Sequence, residues 1–487
     1  MRYLKNKSIT FLLLISMALL LLTWGGCKRE DGTATPPVPA PVLLSLSPTV
    51  TVAGTVNLLL TISGSNFSTA SEIFFNGSAV TTTFSSDTEL RCLLSSADTR
   101  LNIADGQVTV SIFVRDAESG DSNSLDFTIL KGDDFRNPVK VSAADRAYRS
   151  DLAVNSSGDI FVNWGGLNGS GFRISKDNGN SWDDIFYYDQ VQGGSKMIID
   201  HNDNLNMVWF NQQREMFFSR STDQGNSWQT PVKVSADSSD FFQPDIAVGH
   251  SGVIVVTCIK MGDNEDEKDD EIYSGRSVDS GKTWSNFEKF ADGRRHHIHY
   301  SKDRNLYLVW DRNQPGSGWN IFFRKSVDKG ISWDDETRLT DGNDPNMVSH
   351  TDGSLYLIHH GGSTGLTFTR STDQGATWVK HIEIPVNPDY GIAHYPEIAI
   401  DDEAVLHVAW MGRSDIIDSS RDANIYYSRS INLGNHWTEP VNVSNQTGCF
   451  LYPGPKVAAD SAGNVYVVWI NGENEGEGSV YFVRNKK

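Results

Sequence analysis

The sequence is poor in cysteine, in basic residues and in long apolar segments. Its four cysteines, Cys27, Cys92, Cys258 and Cys449, are scattered over different segments, so no disulfide framework is visible. No stretch after residue 40 is apolar enough to span a bilayer. Lysine and arginine number 42 against 61 aspartates and glutamates, which gives a formal net charge of -19. This acidic balance argues against nucleic acid and anionic membrane surfaces as partners.

The first 27 residues have the pattern of a bacterial lipoprotein signal. A basic start is followed by an apolar run from Ile9 to Leu22, and the segment ends in two glycines and Cys27. We expect Cys27 to become the lipidated N-terminus and the only membrane anchor, at the outer membrane or cell surface, because the apolar run is short for a permanent membrane helix. Residues 28–41, which are polar and rich in proline, are then a semi-stiff linker.

One short phrase, Ser-x-Asp/Asn-x-Gly-x-x-Trp, occurs six times between residues 175 and 437. Its acid or amide positions are Asp177, Asp223, Asp279, Asp328, Asp373 and Asn432. Alternating apolar stretches stand before and after the phrase, which predicts a turn between two antiparallel strands. In such a turn the glycine supplies a positive φ, the Asp or Asn accepts backbone N–H groups two residues on, and the tryptophan buries its ring beside the turn.

These phrases resemble the Asp-box, or BNR repeat, of the sialidase-like β-propellers. In that family the boxes lie on the face opposite the active site. The resemblance therefore implies a structural role for the six acid or amide residues, and it places ligand binding on the other face.

Residues 42–131 are predicted to form a first, Ig-like domain. Alternating runs such as Leu58–Ile62, Val108–Val114 and Leu125–Ile129 are separated by turn residues. The turn signals, which include Ser47-Pro48 and Phe75-Asn76-Gly77, fall in the order seen in IPT/TIG domains, and the segment resembles that family. IPT/TIG domains mostly supply spacers and interaction modules, so we expect a stalk.

Residues 135–487 are predicted to be a β-propeller built from repeats of four strands. Patterns typical of a first strand begin near seven positions, which are Asp151, Lys196, Asp245, Ile298, Asn346, Glu397 and Lys456. The seventh unit lacks a box and a fourth strand, whereas residues 138–142 nearly repeat the fourth strand at residues 231–235. We therefore predict an all-β fold, an Ig-like sandwich followed by a seven-bladed propeller whose last blade residues 138–142 complete, leaving no open edge. Sialidases have six blades, and a six-bladed ring is the alternative.

The second strand of five units ends in tryptophan. These residues are Trp164, Trp209, Trp310, Trp410 and Trp469, while Cys258 and His359 take the same place in the other two units. We expect the tryptophans to pack between blades and Cys258 to be a buried free thiol.

The connections on the face opposite the boxes hold the candidate ligand residues. They are Tyr148, Arg149, Arg294, Arg295, His296, His297, Arg312, Trp319, His359, His360, Tyr395, Arg413, Asp415 and Tyr452. The basic run from Arg294 to His297 is expected to face His359 and His360 on the neighbouring blade. In an otherwise acidic chain, such a run indicates a bound anion or an acidic sugar.

A sialidase-like activity is the second hypothesis for this face. That family clamps the substrate carboxylate with three arginines, because a guanidinium pairs with a carboxylate through two hydrogen bonds. The resemblance implies Arg149, Arg295 and Arg413 as the triad, with Tyr452 as nucleophile and Glu397 as its helper. The family's N-terminal Arg-Ile-Pro motif is absent, and Arg173-Ile174-Ser175 lies in a strand that runs into a box.

Metal sites receive weaker support from the sequence. His297 and His299 point the same way on a strand, which makes zinc conceivable, but no carboxylate partner is fixed by spacing. The acidic loop from Asp263 to Glu271 offers oxygen ligands for calcium, with a solvated loop as the plainer interpretation. No other cofactor is expected.

The sequence leaves three functions open. The first is a surface lipoprotein that binds glycans or an extracellular protein partner through its aromatic, Arg- and His-rich face. The second is an exo-sialidase or another glycoside hydrolase that acts on extracellular glycans, so enzymatic activity is undecided. The third is a scaffold without a small ligand. Fold resemblance alone does not choose among them.

Overall fold

A computed structural model describes most of the chain between residues 38 and 486. The described residues are 38–104, 106–143, 147–166, 170–188, 194–211, 213–235, 241–249, 251–262, 270–302, 304–361, 365–386, 392–413, 423–445, 454–472 and 478–486. The lipoprotein signal with Cys27, most of the linker and Cys449 lie outside these residues. Within them, no helix has the length and hydropathy needed to cross a bilayer.

Two β-sheets and one short helix make up the first domain. Its elements are β1 (Val42–Ser47), β2 (Val50–Val52), β3 (Leu58–Ser65), β4 (Ser71–Phe75), β5 (Ser78–Val80), β6 (Thr82–Ser86), β7 (Glu89–Leu94), α1 (Ser96–Thr99), β8 (Gln107–Asp116), β9 (Gly120–Asp121) and β10 (Leu125–Leu130). One sheet has the order β1-β3-β7-β6, and the other has the order β2-β10-β8-β4-β5 with β9 paired to β8.

The core of this domain lies between the two sheets. In β3, Leu58, Leu60 and Ile62 are fully buried, whereas Leu59 is 44% exposed. This alternation places one face of the strand against the core. The predicted Ig-like sandwich is confirmed.

Short antiparallel strands follow one another through the rest of the chain. They are β11 (Val139–Lys140), β12 (Ala147–Val154), β13 (Ile160–Gly166), β14 (Ser170–Ser175), β15 (Phe186–Tyr188), β16 (Ser195–Ile199), β17 (Leu205–Phe210), β18 (Met216–Ser221), β19 (Val232–Lys233), β20 (Phe241–Val248), β21 (Ile254–Lys260), β22 (Glu271–Ser277), β23 (Glu288–Asp292), β24 (Arg294–Tyr300), β25 (Leu306–Gln314), β26 (Gly318–Ser326), β27 (Thr337–Asp341), β28 (Asn343–Ser349), β29 (Leu355–Gly361), β30 (Gly365–Ser371), β31 (Val379–Ile384), β32 (Ile392–Ile400), β33 (Leu406–Arg413), β34 (Ala423–Ser430), β35 (Val441–Asn442), β36 (Lys456–Ala459), β37 (Val465–Gly472) and β38 (Gly478–Arg484).

These strands pair as consecutive four-stranded units, as in a propeller. Strands β16–β19, β20–β23, β24–β27, β28–β31 and β32–β35 form separate meanders. Strands β12–β15 form another, joined through the pair Ala147 and Gly478 to a unit made of β36, β37, β38 and β11. The first strands β12, β16, β20, β24, β28, β32 and β36 contact one another in this order, and β36 also contacts β12.

The N-terminal segment of this region completes the last unit. In β11, Val139 pairs with Phe482 of β38. Just beyond it, the Val141 N–H donates to the Val480 carbonyl at 2.8 Å, and the Val141 side chain is fully buried. The predicted pairing of residues 138–142 with the last strand is therefore present, and it covers the outer edge of β38.

Each Asp-box turn is held by one carboxylate or amide. In the fourth box, Asp328 accepts the Ser326 hydroxyl at 2.9 Å and the Ser332 N–H at 2.9 Å. The same bonds recur in the other boxes, so the acceptor reaches four residues on, rather than the two expected from the sequence. The box glycines have positive φ as predicted, and so does the residue before each of them. The carboxylate therefore stabilises a turn that already needs left-handed backbone.

The boxes also join neighbouring units. The ring of Trp228 makes an edge contact with the ring of Phe172 in the preceding unit. A Cβ added to Gly225 would lie 2.9 Å from the Phe172 ring. Trp284, Trp378 and Trp437 pack in the same way on a phenylalanine of the unit before them, and Trp182 packs on Phe482 of the last unit. The tryptophans thus bury their rings mainly against the preceding sheet, and not only beside their own turns as expected.

The first domain docks on the sixth box. Thr55 forms a β-bridge with Thr438, and the Val56 N–H donates to the Trp437 carbonyl at 3.0 Å. The Glu439 carboxylate pairs with Arg100 and accepts the Ser96 hydroxyl. Residues Ala40–Lys487 form one compact unit.

Candidate functional site

Five of the seven first strands have a bulge near the end where the chain enters them. The ladder to the second strand shifts register between Ala147 and Arg149, Phe242 and Asp245, Arg294 and His297, Asn343 and Asn346, and His394 and Glu397. A β-bulge bends its strand and redirects a side chain. Four of these bulges are at equivalent positions, whereas the one at Ala147 and Arg149 lies two residues nearer the start of its strand.

Four of these bulges contain a side chain on left-handed backbone. They are Gln243, Arg295, Asp344 and Tyr395, with φ of 49°, 42°, 53° and 49°. Residues other than glycine rarely adopt this conformation, and they concentrate at functional sites when they do. Glycine occupies the equivalent position in two other units, where a Cβ on Gly194 would lie 2.4 Å from Arg149 and one on Gly454 would lie 2.3 Å from Tyr395.

A cavity of about 180 Å³ lies where these strand ends meet. Every first strand, or the residues just before it, contributes to its lining. The lining residues are Arg149, Ser150, Asp151, Ser195, Lys196, Gln243, Pro244, Asp245, Arg295, His296, His297, Asp344, Pro345, Asn346, Tyr395, Pro396, Glu397, Gly454, Pro455 and Lys456.

One polar side chain from each first strand forms an inner ring. Each pairs with the second-strand residue that precedes the Trp, Cys258 or His359 position. The ring residues are Asp151, Lys196, Asp245, His297, Asn346, Glu397 and Lys456. Charged, imidazole and amide groups therefore alternate in the cavity lining with apolar surface, to which four prolines contribute.

Acids of the ring bind the next strand along. Asp151 accepts the Met197 N–H at 2.7 Å and lies 3.3 Å from the Lys196 ammonium. Asp245 accepts the Ile298 N–H at 3.0 Å and lies 3.1 Å from Nδ1 of His297. These contacts hold the Asp245 pKa below its usual value although burial opposes ionisation, with His297 as the main stabilising neighbour.

Glu397 continues the ring on the other side. Its Oε2 accepts the Lys456 ammonium at 2.7 Å and the Asn346 amide at 3.0 Å. Because these are charge-assisted bonds within a partly buried site, they position three side chains around the cavity. Glu397 is thus engaged with a lysine and an amide, and not with a tyrosine as the sialidase resemblance implies.

Arg295 lies between two carboxylates at the rim. Its Nε is 2.9 Å from Asp311 and its Nη1 is 3.5 Å from Asp344, while its guanidinium stacks 4.1 Å from the centre of the Trp319 ring. Its Nη2 is buried and has no hydrogen-bond partner among the described residues. Such a donor calls for a water molecule or a ligand group.

The two carboxylates at Arg295 resist ionisation. Burial raises the pKa of Asp311 to about 8, against the opposing effect of Arg295, and Asp344 adds to the rise. Burial also raises the pKa of Asp344. These two acids therefore hold protons more tightly than an exposed aspartate does.

Burial disfavours the protonated form of two histidines near the cavity. Burial lowers the pKa of His296 to about 4, although Asp245 opposes the shift. Burial likewise lowers the pKa of His360, whose Nδ1 lies 2.9 Å from Oδ1 of Asn343 and whose ring stacks on His394. These rings supply polar surface without a positive charge at neutral pH.

The structure brings five of the candidate ligand residues to the cavity. They are Arg149, Arg295, His296, His297 and Tyr395. Trp319 lies behind Arg295, and His360 and Arg294 lie outside the lining, with Arg294 3.7 Å from Asp270. The side chains of Tyr148 and Arg413, and the whole of Asp415 and Tyr452, fall outside the described residues.

Two expectations for this face were wrong. His359 is 1% exposed and packs under Gly342, where a Cβ would lie 2.4 Å from its ring, so it fills the buried tryptophan position instead of facing a ligand. Arg312 pairs with Glu336 and stacks 3.9 Å from the Phe322 ring centre, on the far side of its sheet from the central strands. Neither lines the cavity.

The basic run also does not call for a bound anion. Arg294, Arg295 and His297 each lie beside a carboxylate, from Asp270, Asp311 and Asp245 respectively. The sequence could not show this, because the acids come from other strands.

Other sequence hypotheses have simple structural outcomes. Arg173 donates to the carbonyls of Asp183, Val141 and Trp182, so it stabilises loops and is not part of a ligand clamp. Cys258 is a buried free thiol, as expected. No group of three or more His, Cys, Asp or Glu side chains is arranged to hold a metal among the described residues. Residues 263–269 of the acidic loop are not among them.

The inner ring itself was not recognised from the sequence. Five of its residues were predicted only as starts of first strands: Asp151, Lys196, Asp245, Asn346 and Lys456. A usable signal is present, because four units place a proline directly before the ring residue: Pro244, Pro345, Pro396 and Pro455.

Comparisons with known proteins add a family for the first domain. The IPT/TIG domain model matches residues 41–129, which confirms the predicted resemblance. A search of curated proteins finds no match.

Several solved structures are similar to the chain at low identity. A protein of unknown function from Dyadobacter fermentans is 14% identical, with 73% of this chain and 99% of that chain covered and a TM-score of 0.47. A Hadza microbial sialidase is 14% identical, with 93% and 98% covered and a TM-score of 0.42. An α-L-arabinofuranosidase from Fusarium graminearum is 12% identical, with 61% and 98% covered and a TM-score of 0.43.

Proposed function

We propose that this chain is a seven-bladed, sialidase-like Asp-box propeller that binds the end of an extracellular glycan in its central cavity. The cyclic order of contacts among the seven first strands supports the blade number. The lipoprotein signal that ends at Cys27 supports attachment to the outer membrane or cell surface through lipid alone. The alternative to a glycan is an extracellular protein partner that inserts a polar side chain into the same cavity.

The observation that carries this proposal is the composition of the cavity. Residues at the start of all seven first strands line the cavity. In four of these strands one such residue has left-handed backbone. A fold does not need strained backbone at one end of four strands for packing alone, since the boxes already join the sheets at the other end. Convergent polar groups in a central cavity are typical of a ligand site.

A glycoside hydrolase is the second candidate, because of Asp344. This carboxyl lines the cavity, and its raised pKa suits a group that gives a proton to a leaving oxygen. The sialidase variant has less support, since Arg295 is already paired with two carboxylates.

A glycan array probed with the full-length protein, run beside a panel of fluorogenic glycosides, tests both candidates. Retention without turnover is the result expected for a binding protein. Turnover that Asp344→Asn abolishes would favour the hydrolase. Absence of both retention and turnover would contradict glycan binding and favour the protein partner.

A further inference from the structure

We infer that the central cavity takes a neutral polyhydroxy ligand, such as a terminal sugar unit without a carboxylate, sulfate or phosphate. This inference rests on the proposed glycan binding. It concerns the chemical class of the ligand, which the charge arrangement of the lining residues decides.

Basic and acidic side chains line the cavity in equal number. They are Arg149, Lys196, Arg295 and Lys456 against Asp151, Asp245, Asp344 and Glu397. An anion that enters such a site loses its hydration and meets acids beside the bases that would attract it. A lining of this mixed kind therefore disfavours charged ligands of either sign.

The pairing of these charges reinforces the point. Lys196 lies 3.3 Å from Asp151, Lys456 lies 2.7 Å from Glu397, and Arg295 lies between Asp311 and Asp344. A ligand carboxylate would have to compete with a resident carboxylate for each of these three cations. Of the three arginines that the sequence predicted as a clamp on an acidic sugar, Arg295 is thus already paired with protein acids.

Paired charges suit hydroxyl groups well. A sugar hydroxyl donates one hydrogen bond and accepts others, so it can bridge a carboxylate and a neighbouring ammonium or guanidinium without breaking their contact. The pairs Asp151 with Lys196 and Glu397 with Lys456 offer such donor and acceptor edges. Tyr395 adds an aromatic ring at the rim, on left-handed backbone that places it at the cavity.

The size of the cavity limits the ligand to one unit. Its volume of about 180 Å³ is below the range of roughly 300 to 1,000 Å³ that holds drug-sized ligands. A longer glycan would leave its remaining units outside the cavity.

The test uses matched probes, namely an array on which each glycan occurs with a neutral terminus and with the same terminus capped by sialic acid or sulfate. We expect the full-length protein to be retained on neutral termini and released by their caps. Binding to the best neutral glycan should change by less than about twofold between low and high salt, because no net charge is screened.

Two variants locate the effect. Glu397→Gln leaves Lys456 without its carboxylate partner, so neutral binding should weaken at least tenfold, about 1.4 kcal/mol, while capped termini gain. Arg312→Gln changes a paired arginine that the structure places away from the cavity, and it should bind as the wild type does. Thermal melting of both variants reports whether they are folded.

The outcomes separate this inference from the proposed function. Preferential retention on capped, acidic termini, with binding that salt weakens strongly, would overturn the neutral ligand and leave glycan binding intact. Equal loss of neutral binding in Arg312→Gln and Glu397→Gln would show that the ligand does not bind in the cavity. No retention on any glycan would contradict the proposed function itself.

Discussion

At the scale of single residues, Arg295 shows how far the sequence reaches. Its place at the ligand face follows from the order of strands, and the structure does bring it to the cavity. Its environment does not follow from the sequence, because Asp311 lies on the next strand and Asp344 in the next unit. An isolated basic run and a run that lies beside buried acids cannot be told apart in the sequence, yet the first favours an anionic ligand and the second does not.

Because Arg295 lies beside Asp311, we expect substitutions of these two residues to have non-additive effects on the free energy of unfolding. Arg295→Ala removes the guanidinium that lies between two buried acids, and we expect it to lower stability by about 1 to 3 kcal/mol, the range for buried polar groups that lose a partner. Asp311→Asn in the same chain removes one of these acids, so the double variant should be more stable than Arg295→Ala alone. Urea unfolding of the four proteins completes the cycle. Additive losses would show that the two side chains do not interact.

Asp311 also predicts a pH effect. Its folded pKa of about 8 exceeds the ordinary value of 3.8, so the folded state keeps a proton that the unfolded state loses. This acid therefore costs stability increasingly as pH rises from about 4 towards 8. The melting temperature of Asp311→Asn minus that of the wild type should therefore increase from pH 5 to pH 8. A difference between the two proteins that stays constant over this range would contradict the assignment.

At the scale of strands and turns, the repeat was predictable and its exact contacts were not. The box phrase, the four-strand unit and the pairing of residues 138–142 all follow from local pattern, since turn chemistry and alternation act over a few residues. The packing of Trp228 on Phe172 and the inner ring depend on which sheets become neighbours. Only the prolines before four ring residues gave a local sign of that ring.

The boxes predict acid sensitivity. Hydrogen bonds from the hydroxyl four residues on and then from backbone N–H groups lower the pKa of Asp279, Asp328 and Asp373 to about 2, from 3.8. The stability that these carboxylates contribute is present above pH 4 and is lost as pH falls towards 2. A triple Asp→Asn variant at these positions should lose less stability between pH 4 and pH 2.5 than the wild type. Glu288→Gln, on an exposed strand position, is the control and should follow the wild type.

Residues 138–142, which pair with the last strand, contain two valines whose substitution should affect stability differently. Val141 is fully buried against the last unit, whereas Val139 in the same segment is 45% exposed. We expect Val141→Ala to cost about 1 to 3 kcal/mol through lost burial and a residual cavity. Val139→Ala should change stability by less than about 0.5 kcal/mol. Equal effects in chemical unfolding would mean that this segment does not complete the sheet in solution.

At the scale of the whole molecule, the first domain and the propeller are held together at one box. The sixth box departs from the others, with Asn432 in place of Asp and with His436, whose ring bonds Asn432 and lies 3.4 Å from the Leu59 N–H. Arg429 of the adjoining strand reaches back to the carbonyl of Lys131 at 2.8 Å and pairs with Asp133. A spacer docked in this way holds the propeller in a fixed orientation, which the prediction of a stalk did not contain.

Glu439 is the residue to test for this docking. Glu439→Ala removes the partner of Arg100 and Ser96, and we expect proteolysis near residues 131–137 to become faster while the propeller melts unchanged. Asp121→Ala, which breaks an exposed pair with Arg115 inside the first domain, is the matched control. If the two variants were cut at equal rates, Glu439 would not hold the domains together.

The central claim, that the ring of first strands encloses the ligand, is tested most directly by filling the cavity. Ser195 lines the cavity and its hydroxyl accepts the Asn163 amide at 2.7 Å. Ser195→Trp fills the space without changing a charge, and Ser195→Ala removes the same hydroxyl while leaving the space open. On the glycan array, we predict that Ser195→Ala is retained as the wild type is and that folded Ser195→Trp loses at least tenfold in affinity, about 1.4 kcal/mol. Undiminished retention of a folded Ser195→Trp would contradict the claim.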